Sequence, residues 1–494
     1  MSSSTVTAGP GTGPAQTLYR WRWVALFVIL AGEILDLLDA LITTVAAPTI
    51  RADLGGSAGT IQWLAAGYTL AMAIGLITGG RLGDLYGRKR MFLIGAAGFT
   101  AGSLLCGLAV SPGMLVGSRV LQGLFGALML PQGIGMIKEM FPPREMGAAF
   151  GAFGPIMGLS SVGGPVLAGW LIGADLFGTG WRMIFLINLP LGIAAVLAGI
   201  RFLPESKARH ATRLDLVGAL LAALGAGLIV YPLVQGRELG WPAWSFLMMA
   251  GSALVFAFFT WYETRKERAG GDPLVMPSLF RKRGFSGGLT LGIVFFSGLT
   301  GFALVFGLYT QLGLGYSPLK AGLAQIPWSL GMVVGFGLAQ AVARFGRKVI
   351  HGGTIVMTAG VAGVIATLQA AGMGVSPWQL APALVVTGIG MGLLMAPFFD
   401  TVLAGVEPHE TGAAGGTLTA VQQLGGALGA AVLGTVFFNL LGAHFEGGAG
   451  SGGGAAFEHA MNVTLWVVVG MLALSFVVTF LLPKQPRPDQ EPSH

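Results

Sequence analysis

The sequence predicts an all-α, polytopic membrane protein with about 14 transmembrane helices, built as two six-helix bundles plus two inserted central helices. Three observations carry this prediction. Hydrophobic residues make up 54% of the 494-residue chain and charged residues only 10%, whereas soluble domains carry about 25% charged residues. Apolar runs of about 20 residues recur from end to end, each long enough to cross a ~30 Å hydrocarbon core. Lys and Arg crowd alternate loops, as the orientation rule for membrane proteins requires.

Taken in order, the apolar runs place spans at 22–48, 58–80, 90–110, 114–137, 146–173, 183–201 and 214–234, then at 243–262, 284–311, 319–342, 349–371, 376–404, 412–443 and 459–482. With the N-terminus set in the cytoplasm, 23 of the 28 Lys and Arg residues fall in cytoplasmic segments. Arg51, Arg182, Arg237 and Lys320 fall in outer loops, and Arg119 alone lies inside a span. A wrong helix count would scramble this alternation, so the bias places both termini in the cytoplasm of a cell-membrane protein. The expected organisation is a disordered tail over 1–21, a first bundle over 22–203, two inserted helices over 214–262 and a basic cytoplasmic linker over 263–283. A second bundle over 284–482 and a cytoplasmic tail over 483–494 complete it. The polar segment "MSSSTVTAGPGTGPAQTL" has no basic region before an apolar core and reads as a tail rather than a signal peptide. The Gly-rich stretch 442–460 reads as a mobile outer loop.

Composition also excludes function classes. Cys106 is the only cysteine, which leaves no internal disulfide. The net charge of +7 sits in short loops as an orientation signal, so no nucleic-acid partner is expected. The six His are scattered without metal-ligand spacing, and no Gly-Lys-Ser/Thr phosphate loop is present. No cofactor, no metal and no enzymatic activity are expected. The 82 glycines suit helices that approach closely within a membrane.

"LYGRKRMFLIG" (85–95) and "RFGRKVIHGG" (344–353) resemble each other, with Gly87-Arg88-Lys89 matching Gly346-Arg347-Lys348. Each follows the second span of a six-span unit if spans 7 and 8 are an insertion. Parallel six-helix repeats around a central cavity are a transporter architecture.

Several stretches carry a family resemblance. "GGRLGDLYGRKR" (79–90) resembles motif A of the major facilitator superfamily, through Gly80, Leu82, Asp84, Gly87, Arg88 and Lys89. "LDALITTVAAP" (38–48) is similar to the first-span motif of its fourteen-span drug:proton antiporter family, and "SRVLQGLFGA" (118–127) to the fourth-span motif with Arg119, Gln122 and Gly123. "SSVGGPVLAG" (160–169), with Gly163, Gly164, Pro165 and Gly169, resembles the antiporter motif of span 5. "WRMIFLINLPLG" (181–192), "LGYSPLKAGLAQIP" (314–327) and "QQLGGALGAAVLG" (422–434) also resemble family segments. The sequence departs from the pattern in having Thr44 where Asn is common, Ser160 and Ala168 where Gly is usual, Ala343 at the second-half motif A acid, and the additional acids Glu33 and Asp36. The resemblance implies a proton-coupled exporter. In it Asp84 and Arg88, with Gly80, Gly87 and Lys89, form a conformational latch, and the span 5 glycines with Pro165 form a close, bent seam.

The three acids Glu33, Asp36 and Asp39 form a stripe on one helix, since each step of three residues turns about 300°. Each acid at the bilayer centre costs about 2.5–3.5 kcal/mol on insertion scales, so the stripe must face a wet cavity or a partner. Arg119 is the only buried base and cannot neutralise all three. Burial and mutual repulsion favour the neutral form of at least one. Asp39, at the family motif position, is expected to carry the proton, with Arg119 as its electrostatic partner. Glu33 and Asp36 are expected to select charged substrates in the cavity, with Gln122, Gln311 and Gln422. Gln311, Gln325, Gln422 and Gln423 also suit hydrogen bonding between helices. The function expected is proton-coupled antiport of amphipathic drugs or antibiotics out of the cytoplasm, by a monomer whose partners are a small amphipathic substrate, protons and the lipid bilayer. The competing expectations are a dedicated exporter of one endogenous metabolite and a lipid or peptide translocator on the same fold.

Overall fold

A computed structural model of the chain describes residues 19–142, 145–146, 148–149, 152–207, 213–342, 345–407, 410–446 and 453–483. Most of the expected tails, the centre of the 442–460 loop, and Ala343 and Arg344 of the second-half motif lie outside the described residues. Among the described residues, fourteen long helical passages follow one another. The first seven are α1 (Arg22–Leu54), α2 (Ala58–Tyr86), α3 (Arg88–Gly107), α4 (Pro112–Met140), α5 (Phe153–Ala174), α6 (Gly180–Phe202) and α7 (Leu216–Gln235). The others are α8 (Ala243–Arg268), α9 (Arg283–Gly313), α10 (Pro318–Ala341), α11 (Arg347–Gly374), α12 (Pro377–Leu403), α13 (Thr411–Glu446) and α14 (Gly453–Val478). Twelve of them are long and apolar enough to cross a membrane. The other two are α1, which carries the acidic stripe over its 33 residues, and α5.

Local sequence explains the breaks. In α6 the helix restarts at Asn188, two residues before Pro190, which lacks the N–H that Leu186 would accept. In α10 the break is at Gln325, two residues before Pro327. The turn between α2 and α3 is a single residue, Gly87, at φ +102°, and the turn before α11 uses Gly346 at φ +55°. These left-handed positions are the two glycines of the repeated Gly-Arg-Lys. After each turn a basic side chain, at non-equivalent positions of the two copies, reaches carbonyls at the end of the sixth helix of its bundle. Lys89 donates to the Ile200 carbonyl at the end of α6 (2.9 Å), and Arg347 donates to the Phe480 and Leu482 carbonyls just beyond α14 (2.9 and 2.8 Å).

Packing repeats as well. In the first six helices α1 packs on α5 and α6, α2 on α4, and α3 on α4 and α6. In the last six, α9 packs on α13 and α14, α10 on α12, and α11 on α12 and α14. These are the same five pairings. Glycine permits the approach: a Cβ at Gly123 would lie 2.5 Å from the Tyr68 carbonyl oxygen, and one at Gly388 would lie 2.0 Å from that of Trp328.

The two bundles meet along two seams, α2 with α13 and α5 with α10. On the α2–α13 seam, Gln62 donates to the Ala431 carbonyl (3.0 Å) and to the Thr435 hydroxyl (3.2 Å). On the α5–α10 seam, a Cβ at Gly169 would lie 2.3 Å from Leu319 Cα, and one at Gly322 would lie 2.2 Å from the Pro165 carbonyl oxygen. Both contacts sit away from the Arg- and Lys-rich end that carries the Gly87 turn. Nearer that basic end, Gly337, Gly415 and Gly416 have no atom within 4 Å of a Cβ.

The pair α7–α8 straddles the α2–α13 seam. Helix α7 packs on both α2 and α13, while α8 packs chiefly on α7. Thr435 donates to the Leu233 carbonyl (2.7 Å), Arg237 to the Phe438 carbonyl (3.2 Å), and the Gly59 N–H to Glu238 (2.6 Å). The 263–283 segment is tied at its middle and near its C-terminal end. Arg81 of α2 donates to the carbonyls of Pro273 and Leu274, while Lys282 and Ser278 hold Glu410 between α12 and α13 (2.5 and 2.9 Å). Lys282 holds the Glu410 carboxyl below its ordinary range.

The seam geometry generates a paired expectation. Gly322→Ala and Gly169→Ala force backbone apart and should each cost about 1–3 kcal/mol. Gly163→Ala should be near neutral, because no atom lies within 4 Å of its Cβ position. Melting of the three purified variants in detergent checks this, with a downward shift expected for the first two only.

Candidate functional site

The acidic stripe of α1 lies on one helix, and the structure gives each acid a different environment. Asp39 and Arg119 form an ion pair with both side chains 1% exposed. Arg119 is carried by α4, whose first turn is fixed by Pro112 and by the Ser111 hydroxyl accepting from the Met114 N–H. Gln122, one turn on, donates to Asp39 Oδ1 (2.9 Å) and to Ser103 of α3 (2.7 Å). Asn188, at the restart of α6, donates to the same Oδ1 (2.8 Å) and to Ser103 (3.2 Å). Arg119 also donates to Gln122 Oε1 (2.6 Å) and lies over the Tyr68 ring, 4.1 Å from its centre. The Asp39 carboxylate therefore joins α1, α4 and α6 directly, α3 through Gln122 and Asn188, and α2 through Arg119.

Asp36 is 7% exposed and accepts from the Tyr68 hydroxyl. Gly126 of α4 leaves room for it, since a Cβ there would lie 3.5 Å from Asp36 Oδ1. Glu33 is half-buried and makes no hydrogen bond among the described residues. A single base, Arg119, thus serves a single acid.

A cavity of about 250 Å³ lies between the bundles. Its wall takes in α1, α2, α4 and α5 on one side and α9, α10, α12 and α13 on the other. Arg119 and Tyr68 belong to the wall, and the aspartates they hold do not. None of the five residues expected at the cavity, Glu33, Asp36, Gln122, Gln311 and Gln422, is part of this wall. Gln122 is fully buried in the Asp39 network. Gln311 bridges the bundles instead, donating to the Val45 carbonyl of α1 (2.9 Å). On α13 it is Gln423, not Gln422, that faces the cavity. One residue turns a helix by about 100°, and the sequence alone did not fix that rotation.

The span 5 motif lies against α10 through Pro165 and Gly169, and Gly164 lies against Leu41 of α1. A Cβ at Gly163 would meet no atom within 4 Å, so this glycine is not needed for the close approach. In motif A, Arg88 pairs with Asp84 (2.9 Å) and with Glu139, and donates to the Gly135 carbonyl (3.1 Å). Gly80 meets Pro131 at ordinary contact distance, and a Cβ at Gly87 would strike Glu205. The partners of Arg88 all belong to the first six helices, so this Asp84–Arg88 pair does not bridge the two bundles.

Sequence reasoning missed Tyr68, Ser103 and Asn188 as parts of the acid network. Asn188 had a readable signal, as an amide two residues before Pro190 in an otherwise apolar run. Among the described residues no group of three or more His, Cys, Asp or Glu could hold a metal ion.

Comparisons agree with this architecture. The family model described as Major Facilitator Superfamily matches residues 23–216 and 208–430. The chain is 45% identical to a probable actinorhodin transporter of Streptomyces coelicolor, over 98% of this chain and 95% of that protein. It is 34% identical to a tetracenomycin C resistance and export protein of Streptomyces glaucescens, over 88% of this chain and 79% of that one. A crystal structure of a POT family transporter in complex with a thioalcohol-conjugated peptide superposes with a TM-score of 0.66 at 17% identity, covering 93% of this chain and 97% of that one. At that identity the likeness speaks for the fold alone. With fourteen long helices, a repeated six-helix packing, a cavity between the repeats and matches over nearly the whole chain, the protein belongs to the major facilitator superfamily and is a multi-pass membrane transporter.

Proposed function

We propose that the protein is a proton-coupled antiporter that exports small amphipathic drugs or antibiotics from the cytoplasm. The observation that carries this reading is the buried Asp39–Arg119 pair, with Arg119 in the wall of a cavity between two bundles and Asp39 behind it. The names of the two relatives, a transporter and a resistance and export protein, support the direction of transport. A reading as a dedicated exporter of one compound draws support from the first name, which refers to a single product.

The mechanism follows from the network. Ionised Asp39 satisfies Arg119, Gln122 and Asn188 together. A proton on Asp39 cancels the charge that holds Arg119 and removes an acceptor from the two amides. The helices joined at that carboxylate then lose their common anchor, and the first bundle repacks. The bundles rock about the α2–α13 and α5–α10 seams and expose the cavity on alternate sides. The proton enters from outside and leaves inside, and each charge crossing ~100 mV supplies about 2.3 kcal/mol. Arg88, Asp84 and Lys89 sit where a latch at the basic end can bias this rocking. The protein acts as a monomer in the cell membrane, with the basic end and both termini in the cytoplasm.

Three outcomes test this reading. Asp39→Asn keeps the size and polarity of the side chain and removes its charge. It should abolish uphill export in everted vesicles, with export normalised to the folded protein that remains because the unpaired Arg119 lowers stability, and export against a gradient by this variant would assign the proton to another group. Asp84→Asn should lower the transport rate at least several-fold with little loss of folded protein, as read from efflux normalised to membrane content. For orientation, Cys106→Ser supplies a thiol-free background. Phe177→Cys, at a position 92% exposed between α5 and α6, should react with an impermeant thiol reagent in intact cells. Ala269→Cys, exposed just after α8, should react only after the cells are opened. The reverse pattern would invert the topology.

A further inference from the structure

The walls of the cavity are chemically unequal. Arg119 is the only charged side chain in them, and no acid belongs to them. A cation entering the cavity meets a guanidinium, with the carboxylates held behind it. An acceptor that bound Arg119 would compete with Asp39 for it and would bind best when Asp39 carries its proton. Substrate and proton would then favour each other's binding, which is the linkage of symport. An antiporter must keep its substrate's acceptor off Arg119.

The threonine hydroxyls on the first-bundle side are taken up by their own helices, and the Tyr68 hydroxyl by Asp36. Thr43 donates to the Asp39 carbonyl (2.7 Å), Thr44 to that of Ala40 (3.1 Å) and Thr69 to that of Ala65 (3.0 Å). The second-bundle side holds polar groups in reserve. The side-chain amide of Gln325 and the hydroxyl of Thr300 line the cavity and make no hydrogen bond among the described residues. Gln423 meets only the Met72 sulfur, a weak acceptor. The indole N–H of Trp328, beside Gln325, has no acceptor among the described residues. Gln325 also occupies the break in α10, and broken helices at membrane depth are tolerated where they line a cavity.

Building on the antiporter reading, we infer that the substrate is an uncharged, largely apolar molecule bearing a carbonyl or similar acceptor. The amide of Gln325 recognises it, with Thr300 assisting, while the acids of α1 do not select a cation. The second bundle reads the substrate and the first handles the proton. Apolar neighbours such as Met332, Met391 and Leu299 cover the rest of the molecule.

Equilibrium dialysis of the purified full chain in nanodiscs tests this, with protein-free nanodiscs subtracted. The probes are 9-fluorenone, its carbonyl-free match fluorene, and the lipophilic cation tetraphenylphosphonium. Fluorenone should bind at least fivefold more tightly than fluorene and more tightly than the cation. Gln325→Leu should bring fluorenone to within twofold of fluorene and leave fluorene unchanged, which also shows that the variant cavity is intact. If Gln325→Leu does not fold, Thr300→Val must weaken fluorenone selectively. Equal binding of fluorenone and fluorene, no saturable binding of either, an equal loss of both in the variants, or tighter binding of the cation would each overturn the inference. The dialysis needs no proton gradient. Failure of the antiport reading would appear separately, as export indifferent to a proton gradient in a protein that still prefers fluorenone.

Discussion

The Asp39–Arg119 pair is the constraint on which the first bundle depends. A buried pair contributes little net stability, but removing one partner leaves an unpaired charge at a cost of about 3–5 kcal/mol. The carboxylate must also have its remaining acceptor sites filled. That requirement brings Gln122 and Asn188 to the same oxygen and places Ser103 beneath both. These donors come from α4 and α6, with Ser103 on α3. Small residues make the convergence possible, since Gly123 lets α4 meet the α2 backbone and Gly126 leaves space for Asp36.

Around this anchor, the two bundles are alike in packing and unlike in chemistry. The same five helix pairings build each, and the same Gly-Arg-Lys turn fixes a basic side chain to carbonyls at the end of the sixth helix in each. Among the described residues, the buried Arg–acid pair occurs only in the first bundle. The seams between bundles are held by backbone contact at glycine and by amide bonds from Gln62 and Gln311, with no ion pair among these contacts. Neutral contacts of this kind can be broken and remade without exposing a charge, which suits surfaces that slide. The α7–α8 pair and the 263–283 segment each touch both bundles, at opposite ends of the molecule.

Much of this was legible in the sequence because membranes make strong demands. Span number and the repeat follow from apolar length, basic loops and the glycines at 87 and 346, all of which are one-dimensional signals. The partnership of Asp39 with Arg119 was legible because a lone buried base needs an acid and, of the three acids, Asp39 stands at the family motif position. What was not legible depends on rotation and on depth. Gln422 and Gln423 are identical in type, and only the register of α13 decides which meets the cavity. Asp36 reads as a charge-selecting group until Tyr68, 32 residues on, closes over it. Gly163 matches the motif pattern, but the seam is made by its neighbours with α10. The 263–283 segment reads as a linker from its Pro, Gly and charges, while its tethering to Arg81 and Glu410 depends on partners far away in sequence.

The placement of acids behind the wall has an electrostatic consequence for any transported molecule. In a site of low dielectric, a charge is attracted strongly by an accessible opposite charge and repelled strongly by a like one. Had Glu33, Asp36 and Asp39 lined the cavity, it would have been a trap for cations, and release against a gradient would have required undoing that attraction. With Asp39 ionised and Arg119 beside it, the nearest pair presents no net charge to the cavity. Binding then rests on apolar contact and a few neutral hydrogen bonds, each worth about 0.5–1.5 kcal/mol net. Such binding is weak enough to be readily reversed, and selective enough to depend on where a single amide such as Gln325 points.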